Sequence, residues 1–118
     1  MNANKIIYWV ATGIMCLIFL FSAIMYFSQY EMISEAYKQL GFPTWIIYPS
    51  ATLKILGVVA VLSKQSKLLK EWAYAGFFFD AALAFAAHYF AADGAGGMAA
   101  IALVAVVVSR FMDGKLYP

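Results

Sequence analysis

From Ile6 to Phe21 the chain carries no charged side chain, and Thr12 is its one small polar residue. A helix needs roughly 20 apolar residues to cross the hydrocarbon core of a bilayer. This segment with its flanks, residues 5–26, is long enough. Three further apolar segments follow, at residues 44–62, 72–90 and 98–112. Hydrophobic residues make up 65% of the 118-residue chain and charged residues only 12%, whereas a soluble domain carries about a quarter charged residues. A soluble fold of this size could not hide so much apolar surface. The expectation is an all-α integral membrane protein: a four-helix bundle forming a single transmembrane domain over residues 1–118.

The first segment exceeds a signal-peptide core and lacks a small-residue exit site, so it reads as retained. The last is short, which implies a tilted neighbour or a locally thinned bilayer. In the first connector, Met32, Ile33, Ala36 and Leu40 recur at helical spacing among Glu31, Glu35 and Lys38. That pattern predicts a short amphipathic helix lying at the interface. Gly41 should end it, and Pro43 supports a fresh start. The second connector, residues 63–71, is a basic hairpin with Lys64, Lys67 and Lys70, and residues 93–97 form a glycine-rich turn.

Charge placement sets the orientation. Lys5, the lysine hairpin, Arg110 and Lys115 fall on one side of a four-span arrangement; Glu31, Glu35, Asp93 and Lys38 fall on the other. The positive-inside rule then puts both termini in the cytoplasm. Arg110 reads as a stop-transfer charge. Trp9, Trp45 and Trp72 sit at predicted helix ends, as an aromatic belt requires. The net charge of +2 is too small to argue for nucleic acid.

Several polar residues interrupt the apolar segments. A Lys or Asp at mid-depth costs roughly 2.5–3.5 kcal/mol even on lenient insertion scales. Lys54 lies eight residues before Leu62, and Asp80 eight residues after Trp72, so both lie at ~12 Å from the same surface. Their segments are antiparallel and joined by a short hairpin, so an ion pair between them is expected. It reads either as a structural clamp or as a ligand or proton site. The same count puts His88 and Tyr48 at ~24 and ~21 Å, near the opposite surface, with Tyr26 and Glu31. A pocket opening there would have Lys54–Asp80 at its floor and His88, Tyr48 and Glu31 at its mouth. Gly57, one turn past Lys54, leaves room beside it. Gly13 permits close helix packing.

These residues form a pattern: Gly41-Phe42-Pro43, then Leu53-Lys54-x-x-Gly57, then Lys70-Glu71-Trp72-Ala73-Tyr74-Ala75-Gly76-Phe77-x-Phe79-Asp80, then His88. It covers nearly the whole chain and resembles the DoxX-like family of small membrane proteins. The resemblance implies a multi-pass four-helix bundle in a bacterial inner membrane, with Lys54, Glu71, Asp80 and His88 as motif positions and Trp72 and Gly76 within the same block. The wider superfamily resembles the small subunit of thiosulfate:quinone oxidoreductase. Some distant relatives carry cysteine pairs; this chain has one cysteine, Cys16, which reads as a small packing residue.

Three functions compete. The first is a redox-accessory subunit that binds a lipophilic, quinone-like molecule through Lys54, Asp80, His88, Tyr48, Glu31 and Tyr26. One histidine and one cysteine cannot build a haem or iron–sulfur site without a partner chain, and there is no flavin motif. The second is a small proton-coupled transporter using a carboxyl group at Asp80. The third is a structural or assembly subunit that meets a homo-oligomer partner or a larger complex, its lysine hairpin binding anionic lipid. No complete catalytic motif is present, and a convergent metal-ligand set is not expected.

Overall fold

The computed structural model of the protein describes residues 2–91 and 96–118. Among these residues the fold is all-helical: α1 (Ala3–Ser28), α2 (Tyr30–Leu40), a 3-10 turn (Thr44–Ile46), α3 (Ile47–Ser63), α4 (Lys67–Ala91) and α5 (Gly97–Leu116). The glycine-rich turn expected at 93–97 lies mostly outside the described residues. Three helical stretches, Ala3–Ser28, Thr44–Ser63 and Gly97–Leu116, are long and apolar enough to cross a membrane. α4 is 25 residues long, but Lys67, Lys70, Glu71, Asp80 and His88 lower its hydropathy.

Helix boundaries follow local chemistry. The Asn2 side chain accepts the Lys5 N–H at 2.9 Å and caps α1. Gly41 stops α2 in the left-handed conformation (φ +84°), and the Phe42 N–H returns to the Tyr37 carbonyl at 2.8 Å, the usual glycine C-terminal motif. α4 starts at Lys67, five residues before the apolar segment, because Ser66 Oγ accepts the Leu69 N–H at 3.2 Å. A serine N-cap of this kind stabilises a helix start by about 1 kcal/mol. The lysine hairpin thus shrinks to a tight link around Lys64, which adopts the left-handed conformation at φ +55°. α5 continues past the end of the last apolar segment at residue 112, through Asp113 to Leu116.

α1 packs against α3 and α5, and α4 packs against the same two, so the four long helices close a ring; α2 leans across α1, α3 and α4. The inward face of α1 is Tyr8, Ala11, Thr12, Met15, Phe19 and Ala23, spaced three or four residues apart as one helix face requires. The outward face is equally apolar. Leu17, Phe79 and Val104 are each more than 60% exposed, and helices apolar all round belong in a membrane. Trp9, Trp45 and Trp72 point outward. The long axis is 44 Å, close to the ~40–45 Å of a bilayer with its headgroups.

Mid-height, the core is a slab of Met15, Cys16, Phe19, Val58, Phe77 and Val106. Phe19 and Phe77 stack at 4.2 Å between ring centroids. Gly57 does not leave an open space: a Cβ there would sit 2.7 Å from Phe77 Cζ, so the Phe77 ring already occupies the gap. Gly13 is the reverse, with nothing within 4 Å of an added Cβ, so it is not a close-packing site. Gly57→Val should therefore cost about 1–3 kcal/mol, the usual range for overpacking. Gly13→Ala should be neutral or slightly stabilising, because alanine is the better helix former. Thermal denaturation of the two variants in detergent checks the pair; equal melting points would contradict the packing.

Candidate functional site

Above the slab, on the side of α2, the helices line a half-open cavity of about 500 Å³. Its walls are mostly aliphatic and aromatic, and Ser22, Tyr26, Tyr37, Ser50, Lys54, Asp80 and His88 supply the polar groups. Lys54 is only 5% exposed. Its ammonium donates to Ser22 Oγ at 2.9 Å, lies 3.8 Å from Asp80 Oδ2, and sits 3.9 Å from the centre of the Tyr26 ring. Partners from α1 and α4 thus meet a cation from α3. A cation over an aromatic face gains about 0.5–2 kcal/mol, more when water is excluded. The Asp80 side chain is 41% exposed against 6% for Lys54, so the carboxylate faces open space while the amine is enclosed.

The Tyr37 hydroxyl donates to Tyr26 at 2.8 Å and ties α2 to α1. Burial pushes the Tyr37 hydroxyl well above the usual phenol range, and the hydrogen bond to Tyr26 adds to the effect. Tyr37 is thereby held as a neutral donor. His88 lines the cavity from α4. Asp80 and His88 are eight residues apart, two turns plus ~80° of rotation, and both reach the cavity wall.

Two candidate residues lie elsewhere. α2 turns Ile33, Tyr37 and Leu40 toward the cavity, which leaves Glu31 exposed on the outer side. Tyr48 stacks on Tyr30 at 4.8 Å and on Phe27 at 5.5 Å, 47% exposed. Ser50 and Lys54 share one face of α3, and Tyr48 is two residues from Ser50, ~200° around the axis. Depth counting alone carries no such rotation. Within the Glu71 block, Glu71 pairs with Arg110, whose Nε lies 3.0 and 3.1 Å from the two carboxylate oxygens. Arg110 is therefore a partner for α4 and not only a terminal charge. Trp72 is exposed, and an added Cβ at Gly76 meets nothing within 4 Å.

A second polar network sits below the slab, at the end holding the α3–α4 link. Asp113 is 1% exposed. Lys70 Nζ lies 2.9 Å from its Oδ2 and donates to the Tyr117 carbonyl at 3.0 Å; Lys64 Nζ lies 3.7 Å from its Oδ1. Lys64 donates to the Tyr8 hydroxyl and stands over the Tyr8 and Tyr117 rings at 4.6 and 4.4 Å. Nearby, Ser109 joins Thr12 at 2.6 Å and Tyr74 at 2.8 Å. A signal for this network exists in the sequence: Tyr8 and Thr12, Lys70 and Tyr74, and Ser109 and Asp113 are each one turn apart on three segments at the same end. Among the described residues, no three His, Cys, Asp or Glu side chains converge to hold a metal ion.

A family model described as the DoxX-like family matches residues 10–111. No curated protein and no solved structure matches the chain.

Proposed function

The chain belongs to the DoxX-like family of membrane proteins, and on that premise we propose that its cavity binds a lipophilic, quinone-like molecule in support of a redox partner. The observation that carries this reading is the cavity itself. Its ~500 Å³ falls within the 300–1,000 Å³ range of small-molecule sites, and its few polar groups converge in a mostly apolar wall, as such sites require. The Lys54 ammonium and the Tyr26 hydroxyl are donors for a ring carbonyl, and Tyr37 donates to Tyr26 from behind. Asp80 and His88 face the same space and can take up or deliver a proton as the ring changes oxidation state. The electrons would come from a partner protein.

In this reading the protein is a multi-pass four-helix bundle of a bacterial inner membrane, with α4 as the fourth span. His88 lines the cavity, and Asp80 lines it while paired with Lys54, so both cost less than bare charges facing lipid would. Lys5, Lys64, Lys67, Lys70, Arg110 and Lys115 gather at one end and only Lys38 at the other, which supports cytoplasmic termini. A proton-coupled carrier has less support. Between the cavity and the Asp113 network lies the slab of Met15, Phe19, Val58 and Phe77, which offers no polar stepping stones.

The test is to purify the protein from membranes in mild detergent and quantify extracted lipids by mass spectrometry. Close to one isoprenoid quinone per chain is expected, and its loss in Ala84→Trp, which fills the cavity. Quinone at the bulk-lipid ratio in both proteins would end this reading.

A further inference from the structure

A second recess, about 940 Å³ and almost wholly apolar, runs down the outer face between α3 and α4. Leu53, Leu56, Ala60, Leu69, Ala73 and Gly76 form much of its wall. Ile46, Ser50, Lys54 and Asp80 line this groove and also the inner cavity. The two spaces are therefore neighbours, divided by the side chains of the ion pair. Lower down the partition is solid. The tip of the Phe77 ring presses on Gly57 at a distance that would not admit a Cβ, and a face of the ring stacks on Phe19. The Lys54–Asp80 contact is looser: at 3.8 Å it is longer than a hydrogen bond, and the close partner of Lys54 is Ser22 at 2.9 Å.

We propose that the α3–α4 groove holds the apolar chain of a long-chain ligand whose polar head sits in the inner cavity, the molecule passing between α3 and α4 at the Lys54–Asp80 contact. This inference rests on the reading of the cavity as a ligand site and specifies the class of ligand. The head is neutral, because the amine and the carboxylate beside it balance in formal charge and an ionic head would leave one of them opposed by a like charge. The tail is a single hydrocarbon chain, because the groove has few polar groups to satisfy anything else. Access is from the bilayer, because the groove opens on a face that carries Leu53, Leu56 and Leu69 outward.

Gly76 gives a clean test. It lies on the groove wall, and an added Cβ there meets nothing within 4 Å. Gly76→Leu should therefore obstruct the groove without disturbing the core, and an unchanged melting point confirms that the variant is folded. The probes are a dimethoxy-methyl-benzoquinone without a side chain and the same ring with a ten-carbon chain. Binding is read by quenching of tryptophan fluorescence in detergent, since Trp45 and Trp72 border the groove. The unsubstituted protein should bind the long-chain probe at least tenfold more tightly than the tail-less one. Gly76→Leu should abolish most of that advantage and leave tail-less binding unchanged. A chain-length advantage that survives Gly76→Leu overturns the groove assignment while the cavity reading stands. If neither probe binds, or if Ala84→Trp leaves both affinities unaltered, the cavity reading fails and the groove assignment fails with it.

Discussion

Asp113→Ala should destabilise the protein by about 3–5 kcal/mol, the usual cost of removing one partner from a buried ion pair. The reason is what remains. Lys70 is 5% exposed and would keep one neutral acceptor, the Tyr117 carbonyl at 3.0 Å, in place of a carboxylate at 2.9 Å. Lys64 would lose its charge partner as well, although its aromatic contacts with Tyr8 and Tyr117 persist. These contacts join α5 to α4 and to the α3–α4 link, so the loss falls on ring closure. Lys70→Met combined with Asp113→Leu should recover part of the stability, because replacing a buried pair by apolar groups of similar size is often neutral or better. Thermal denaturation in detergent measures both. A shift in Asp113→Ala no larger than that of an exposed control, such as Lys67→Ala, would contradict this account.

Lys54→Met should have the opposite profile. Ligand affinity should fall about thirtyfold, which is ~2 kcal/mol and typical of a hydrogen bond to a charged group. Stability should fall less than in Asp113→Ala. Asp80 is 41% exposed at its side chain and lines the cavity, so the carboxylate left behind is less closed in by protein than the 5%-exposed Lys70 would be in Asp113→Ala. Ser22 and Tyr26 lose a polar contact but keep their packing. The ten-carbon quinone, titrated into Lys54→Met and the unsubstituted protein side by side, reads the effect. Equal affinities would remove Lys54 from the site and leave the ion pair as a clamp between α3 and α4.

Much of this architecture can be read from the residues before any coordinates exist, and the reasons differ by residue. Apolar segments of bilayer length must be helices, since only helices or closed barrels satisfy their own backbone in lipid. Lys54 and Asp80 could be matched because equal spacing from a shared hairpin fixes depth, and depth was enough to bring them within 3.8 Å. Depth was not enough for Tyr48 and Glu31, whose placement depends on rotation about a helix axis. Ser22 was hidden for another reason: a serine inside an apolar helix is inexpensive and gives no warning that it will meet a lysine 32 positions away. Asp113 was obscured by its neighbours. Gly114 and the residues after it look like a fraying tail, yet two lysines hold the aspartate inside and the helix runs on to Leu116.

The apolar slab around Phe19 and Phe77 has one more consequence. It insulates the two ends of the molecule from each other: no hydrogen-bonded relay connects Ser22 and Lys54 on one side to Thr12, Ser109 and Tyr74 on the other among the described residues. News that a guest has arrived upstairs cannot travel down by rearranged charges. It can travel only if a whole helix slides or tilts as a rod; α1 and α4 each carry polar partners at both ends, and α3 carries Lys54 and runs directly into Lys64.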